Sequence, residues 1–315
     1  MKLSVLSHIS PEVFPVEFSH YLAKKPSGHY KVYKIPKRTF GFRVIAQPTP
    51  ELKCIQRAIV EQMKPCVQIH SSAKAYINGI NIKENASAHV ESSYLLKLDL
   101  ENFFNSLTPS MFLKALNYQE IELVNNDIEP LIELLFWNRT KKKSPNLVLS
   151  VGAPSSPFLS NFIMYEFDKI VTSYCTKSNI NYSRYADDLT FSTSEKNLLF
   201  VIPKYIENTL RDLFDDRIKL NRSKTFFSSK AHNRHVTGIT ISNNNKLSLG
   251  RDRKRYIRAL LHKFSIRSLD NEDDIEHLKG LIGFAKTVEP IFIDKMKNRY
   301  GEKVFIDLFR YSGGD

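Results

Sequence analysis

The sequence predicts an α+β protein, on three observations. Short runs rich in β-favouring residues, the clearest at Tyr182–Ser192, are bounded by compact polar turns. Apolar residues recur at helical spacing elsewhere, as at Leu52, Ile55, Ile59 and Met63. From about Arg251 onward the pattern is helical to the end. With 42% apolar residues in 315, the chain can bury a real core and hold two or three subdomains.

Composition narrows the class. Forty-six Lys and Arg against 33 Asp and Glu give a formal charge of +13. A surface this basic suits a polyanion, nucleic acid first, although a merely basic soluble protein would give the same number. Three cysteines occur, Cys54, Cys66 and Cys175, with no Cys-x-x-Cys pair. That argues against a disulfide framework or a zinc site and for a reducing cytoplasm. No uncharged apolar run of about 18 residues marks a membrane span. The first eight residues are too poor in apolar side chains to read as a signal peptide. There is no internal repeat or Pro/Gly-rich linker, so the subdomains are expected to pack closely.

In chain order, Lys37 to Pro48 alternates cations with apolar residues, as a basic strand pair does. It could grip a phosphate chain or be an edge strand guarded by charge. Thr49-Pro50 offers an N-cap and a first-turn proline to the helix that follows, through about Lys64. Asn85-Ala86-Ser87-Ala88-His89 lies in a polar stretch. Tyr94 to Leu100 reads as a strand that ends in an acid, Asp99, and Thr108-Pro109 opens a helix carrying Met111, Phe112, Ala115 and Leu116. A helix is expected over 128–137 and a basic loop over 139–143. Gly152-Ala153-Pro154-Ser155-Ser156-Pro157 is a small-residue turn before a helix, and Gly152 and Ala153 permit close approach to the backbone. A helix is predicted over 198–214 and an extended segment over 220–226. His235 to Ile241 and Lys246 to Leu249 flank Asn243-Asn244-Asn245 as a hairpin. In the last helical region Arg251, Arg255, Arg258 and His262 share one face and Ile257, Leu260, Leu261 and Phe264 the other, which suits docking on a duplex backbone.

Two acidic features stand out. Asp187-Asp188 sits at the tip of the hairpin made by Tyr182–Ser192, and neighbouring carboxylates repel unless a cation joins them. Asp99 emerges from an apolar strand, which is costly unless the acid is solvated, paired or metal-bound. If the strands are neighbours, three carboxylates can hold two Mg²⁺ about 3.5–4 Å apart for in-line phosphoryl transfer. Oxygen-only ligands favour Mg²⁺ over zinc.

Seven motifs then fall in one order. Tyr185-Ala186-Asp187-Asp188 resembles the polymerase motif of reverse transcriptases, and Asp99 with Phe104 their preceding acidic motif. The turn at Gly152–Pro157 resembles their template-contacting turn, Lys224 their later lysine segment and Arg43 their fingers arginine. Asn85-Ala86-x-x-His89 and Val236-Thr237-Gly238 are similar to signatures of bacterial retron reverse transcriptases, and the correspondence spans roughly residues 37–300.

The resemblance implies a right-hand polymerase: fingers over 1–95 with part of 110–150, a palm over 96–245 whose antiparallel sheet carries the acids, and a helical thumb over 246–315. It implies Mg²⁺ on Asp99, Asp187 and Asp188, with the Leu100 carbonyl as a further ligand. Arg43, Phe104, Gly152, Ala153 and Lys224 would bind the incoming dNTP, Phe104 as the gate against a 2′-OH. Asn85, His89, Pro154, Ser155, Val236, Thr237, Gly238, Arg251, Arg255 and Arg258 would meet RNA or template, the two retron-like motifs alternatively shaping palm and thumb. The implied partners are a cognate structured non-coding RNA, its RNA-linked DNA product and an accessory effector, with no membrane. The implied activity is RNA-directed DNA synthesis primed from a guanosine 2′-OH, in defence against phage. One departure is Val151, where the family usually has Gln, which removes a side-chain amide contact to the nucleotide sugar. The competing readings are a group II intron-like reverse transcriptase and a non-catalytic RNA scaffold that restrains a toxic effector. Intact acids speak against the second.

Overall fold

A computed structural model describes residues 2–9, 11–14, 17–37, 41–140, 146–269 and 271–311. Arg38, Thr39 and Phe40 of the expected strand pair and Lys141 to Lys143 of the basic loop lie outside the described residues. The elements that position the site begin with β1 (Tyr30–Pro36), β2 (Phe42–Pro48), α1 (Pro50–Met63), α2 (Ile82–Ser87), β3 (Tyr94–Asp99) and α3 (Pro109–Tyr118). Then come α4 (Ser156–Ile163), α5 (Tyr165–Lys177), β4 (Asn181–Tyr185), β5 (Asp188–Thr193), α6 (Ile202–Phe214) and β6 (Phe226–Ser229). The chain closes with β7 (Arg234–Val236), β8 (Ile239–Ile241), β9 (Leu247–Ser248), α7 (Arg251–Ser265), α8 (Glu272–Val288), α9 (Pro290–Tyr300) and α10 (Glu302–Arg310).

These elements form two compact units. One comprises Met1–Ile80, Leu96–Phe191 and Asn197–Phe226, the other Asn81–Leu95, Ser192–Lys196 and Phe227–Asp315. In the first, β1 and β2 make an antiparallel ribbon registered from Tyr30 opposite Pro48 to Pro36 opposite Phe42. Val32, Tyr33, Ile35, Phe42 and Val44 on it are exposed, so the backbone ladder rather than a buried face holds it. Thr49 Oγ1 accepts from the Leu52 amide and Pro50 sits in the first turn, which fixes where α1 starts. Leu52, Ile55, Ile59 and Met63 are fully buried along α1, each contributing about 1.5–3 kcal/mol by leaving water. The sheet order is β6-β3-β5-β4, with β4 and β5 as the predicted hairpin.

Three local expectations change. The helix predicted over 128–137 is Asn125–Leu135, and Trp137 instead begins a short strand paired with Val148. The helix predicted from Leu198 starts with a 3₁₀ turn, Leu198–Val201, before α6, whose first turn holds Pro203. The segment expected to be extended over 220–226 contains a 3₁₀ turn, Arg222–Lys224, which swings Lys224 back toward the end of β3.

The second unit has its own core, including Val236, Ile239, Ile241, Ile257, Leu261, Leu278, Ile282 and Phe292. The single strand expected over 235–241 is two strands, β7 and β8, joined by Thr237-Gly238 with φ of 46° and 80°. A turn with both residues at positive φ matches strand twist, which is why a glycine stands there. The second hairpin forms as predicted, Thr240 opposite Ser248 and Ile241 opposite Leu247. On α7, Ile257, Leu260 and Leu261 are buried, while Arg251, Arg255, Arg258 and His262 are exposed. Among the described residues no helix is long and apolar enough to cross a membrane.

Candidate active site

The acids lie in the first unit, at the end of β3 and the start of β5. Asp99 is the last residue of β3 and is 8% exposed. The Leu100 amide donates to the Asp187 carbonyl at 2.9 Å, and the Asn221 amide donates to the Asp99 carbonyl at 2.8 Å. Backbone bonds therefore pin Asp99 between the hairpin turn and the segment before Lys224. Asp187 lies in the turn and Asp188 opens β5. The residue before them, Ala186, has φ of 58°, a left-handed conformation that costs a side-chain-bearing residue about 1–2 kcal/mol.

The electrostatics follow from that crowding. Loss of hydration raises the Asp187 carboxyl above its ordinary range; Asp99 adds to the rise, and Lys224 and Arg43 oppose it. Asp188 is pushed up to about 6, first by lost hydration, then by the charges of Asp187 and Asp99, with Lys97 and Lys224 pulling the other way. Lys224 Nζ donates to Asp99 Oδ2 at 2.8 Å, and that bond raises the lysine's own pKa despite some desolvation. Three mutually repelling carboxylates with a cation drawn onto one of them are an oxygen-only donor set of the kind hard divalent ions take. Asp99, Asp188 and Lys224 line one open cleft, although among the described residues no three acidic, His or Cys side chains already converge as a metal-binding group.

An open cleft is lined by residues that include Lys53, Arg57, Tyr76, Phe104, Gly152 and Pro154, and Tyr76 in it is within electrostatic reach of Asp187. Phe104 is half-buried and Phe103 beside it is core, 3% exposed. Arg43 is exposed on β2, within electrostatic reach of Asp187. Gly152 has φ of 123°, and a Cβ there would stand 3.1 Å from the Ala46 carbonyl oxygen. The Ala46 amide donates to the Val151 carbonyl at 3.0 Å. This glycine therefore lets the turn close onto β2. Val151 itself lines the cleft. Pro154 is half-exposed and Ala153, 4% exposed, lines the cleft beside it, while Ser155 is fully buried.

A buried network that no sequence argument singled out stands behind the acidic turn. Arg184, two residues before Ala186, is fully buried and pairs with the fully buried Asp168 of α5 at 2.6 Å. Its Nη1 also donates to Asn161 Oδ1 on α4 and to the Ala186 carbonyl, at 3.1 and 3.2 Å. The signal was present in the sequence: an arginine between apolar strand positions needs a buried partner. Identifying Asp168 and Asn161 as that partner required the packing of α4 and α5.

The retron-like motifs lie in the second unit. Asn85, His89 and Val236 are 0% exposed, packed among protein groups rather than presented to solvent. His89 Nδ1 shares a 2.7 Å hydrogen bond with Ser192 Oγ. Asn85 Nδ2 reaches Thr237 Oγ1 at 3.5 Å, and that hydroxyl donates to the Ile82 carbonyl at 3.3 Å. These residues hold the left-handed turn in place. Gly238 is exposed on that turn, and its carbonyl accepts from Arg253 at 2.9 Å. Arg251, Arg255 and Arg258 remain on the solvent face of α7.

Comparison with known proteins agrees with this geometry. Residues 35–241 match the family model described as reverse transcriptase (RNA-dependent DNA polymerase). The chain is 53% identical over 298 residues to the retron Ec83 reverse transcriptase of Escherichia coli, covering 95% of each. It is 30% identical to the retron Ec73 reverse transcriptase of Escherichia coli, covering 87% of this chain and 88% of that one. It is also 28% identical to the retron Mx65 reverse transcriptase of Myxococcus xanthus, covering 89% and 67%. With this ancestry and the acids placed at strand ends of one sheet, the chain belongs to the bacterial retron reverse transcriptases, RNA-directed DNA polymerases of right-hand fold.

Proposed function

We propose that this polymerase copies a cognate structured non-coding RNA into single-stranded DNA that stays joined to the RNA, starting from a guanosine 2′-OH. The branched product would act with an accessory effector in defence against phage. Membership of the retron family supports the choice of substrate. One observation carries the chemistry: Asp99, Asp187, Asp188 and Lys224 meet at the end of one strand and one turn, with their charges coupled.

Asp99, Asp187 and Asp188, with the Leu100 carbonyl, are the groups that would hold two Mg²⁺ ions. Bound there, the ions supply activation of the attacking hydroxyl and neutralisation of the departing pyrophosphate. The chain's own residues do the rest. Arg43 would bind the triphosphate from the ribbon. Lys224, charged and next to Asp99, would give a proton to the leaving group as negative charge develops on it. Phe104 would stand where a 2′-OH of the incoming nucleotide falls and reject ribonucleotides by contact. The exposed arginines of α7 would lie against a phosphate backbone, where each contact is salt-sensitive.

The test is co-expression with the candidate RNA, followed by isolation of RNA-linked DNA. The Asp187→Asn, Asp188→Asn double variant is expected to give none while folding normally. Equal product from that variant would remove the acids from the chemistry. DNA that starts at a free 3′ end, with no branch, would leave the polymerase intact and overturn the priming.

A further inference from the structure

The residue beside Phe104 in the cleft is Tyr76, and its surroundings are unusual. Its φ is 63°, a conformation that a bulky side chain rarely takes without a reason in its environment. The segment before it is held rigidly. The Arg184 amide donates to the Ser72 carbonyl at 2.8 Å, and the Lys74 amide to the Arg184 carbonyl at 2.7 Å. Asn161 Nδ2 donates to the Ala75 carbonyl at 2.8 Å. Ala73 and Ala75 are buried, yet Tyr76 itself is 50% exposed. The backbone is thus strained and clamped to hold a half-exposed ring outside the core.

That ring lies in the cleft. Its centroid is 6.4 Å from that of Phe104, tilted by 49°. The same cleft carries Lys53 and Arg57, cations one helical turn apart on α1. Asp187 raises the tyrosine's pKa after burial does, and Arg43 lowers it, so the hydroxyl stands within electrostatic reach of both an acid and a triphosphate-binding candidate. Two rings beside cations, one of them within electrostatic reach of Asp187, suit one class of ligand, a nucleoside triphosphate held by its sugar.

We propose that Tyr76 is a second specificity-determining residue, whose ring forms with Phe104 the wall that fits the sugar of the incoming deoxynucleoside triphosphate. This rests on the reading of Phe104 as the gate against a 2′-OH. Tyr76 keeps that gate rigid: Phe104 alone could tilt away from an added hydroxyl, and a second ring on a clamped backbone limits the tilt. The same network of Arg184 and Asn161 then fixes both the acidic turn and the wall of the sugar pocket.

The experiment is single-nucleotide addition by the full chain on an RNA template with an annealed DNA primer, comparing kcat/KM for a dNTP and its ribonucleotide. Variants are Tyr76→Phe, Tyr76→Ala, Tyr76→Gly and Phe104→Ala, with template–primer affinity measured in parallel. Tyr76→Gly separates roles, because glycine adopts positive φ freely and keeps the loop. We expect Tyr76→Gly and Tyr76→Ala to lose roughly tenfold or more in sugar discrimination, with template–primer Kd unchanged and Tyr76→Phe like wild type. Unchanged discrimination in a folded Tyr76→Gly protein would overturn the proposal. So would a loss confined to template–primer affinity, which would assign the ring to a template base. Unchanged discrimination in Phe104→Ala would instead remove the reading of Phe104, and Tyr76→Gly would still answer for Tyr76.

Discussion

Two hairpin turns, one in each unit, use the same device for opposite ends. At Ala186 and at Thr237 a residue with a side chain is held at positive φ, 58° and 46°. Each turn is braced by polar groups from a helix. The first is held by the Arg184–Asp168 pair and Asn161, and it turns Asp187 and Asp188 away from the brace. The second is held by Asn85 and by the bond from Thr237 to the Ile82 carbonyl, and there the motif residues themselves are the brace. Residues that resemble a family signature are therefore of two kinds, those that present a group to ligand and those that hold the presenter. Burial alone does not separate them: His89 is at 0% and Asp188 is exposed, yet Asp99 is at 8%.

Breaking the first brace should have the largest effect. Arg184 and Asp168 are both fully buried, so removing one leaves an uncompensated charge. Arg184→Met should cost about 3–5 kcal/mol of stability, and adding Asp168→Leu should recover much of it. Denaturant melts of the two variants check this. The restored double variant should still polymerise more slowly, because the Ala186 carbonyl has lost its donor.

A smaller effect is expected in the second unit. His89→Ala strands the Ser192 hydroxyl and opens a cavity, costing about 2–3 kcal/mol. RNA affinity of the folded fraction should stay at the wild-type value, as filter binding at fixed salt would reveal; a large fall would return His89 to the ligand-contacting group. Smallest of all, Thr237→Gly exchanges backbone strain against two long hydrogen bonds, and its stability should fall within about 1 kcal/mol of wild type. A large loss there would mean that the Asn85 brace counts for more than the turn geometry does.

Much of the site was legible before any coordinates. Asp99 was costly in an apolar strand, and Asp187-Asp188 was costly at a turn, whatever else surrounded them. The capped start of α1 and the two faces of α7 were likewise local, set by i, i+3 and i+4 neighbours. What failed was also local in kind. The strand expected over 235–241 broke at Thr237-Gly238 because a valine–threonine run favours strands and gives no sign that threonine will accept positive φ. The helix expected over 128–137 ended at Leu135 because Trp137 found a strand partner in Val148, thirteen residues beyond the helix.

The sequence by itself determined the chemistry, since three acids and a lysine in a fixed order leave few reactions open, and it determined the family, since seven motifs recur in order. Only the tertiary structure decided which motif residues are buried. Asn85, His89 and Asp188 look alike as polar residues in a string; one packing environment buries the first two and another exposes the third. It also brought Arg184 and Asn161 behind the acidic turn and Tyr76 beside Phe104. Their partners lie 16 to 28 residues away along the chain, at Asp168, at Arg184 and at Phe104. Contacts at that range exist only once helices have packed on the sheet.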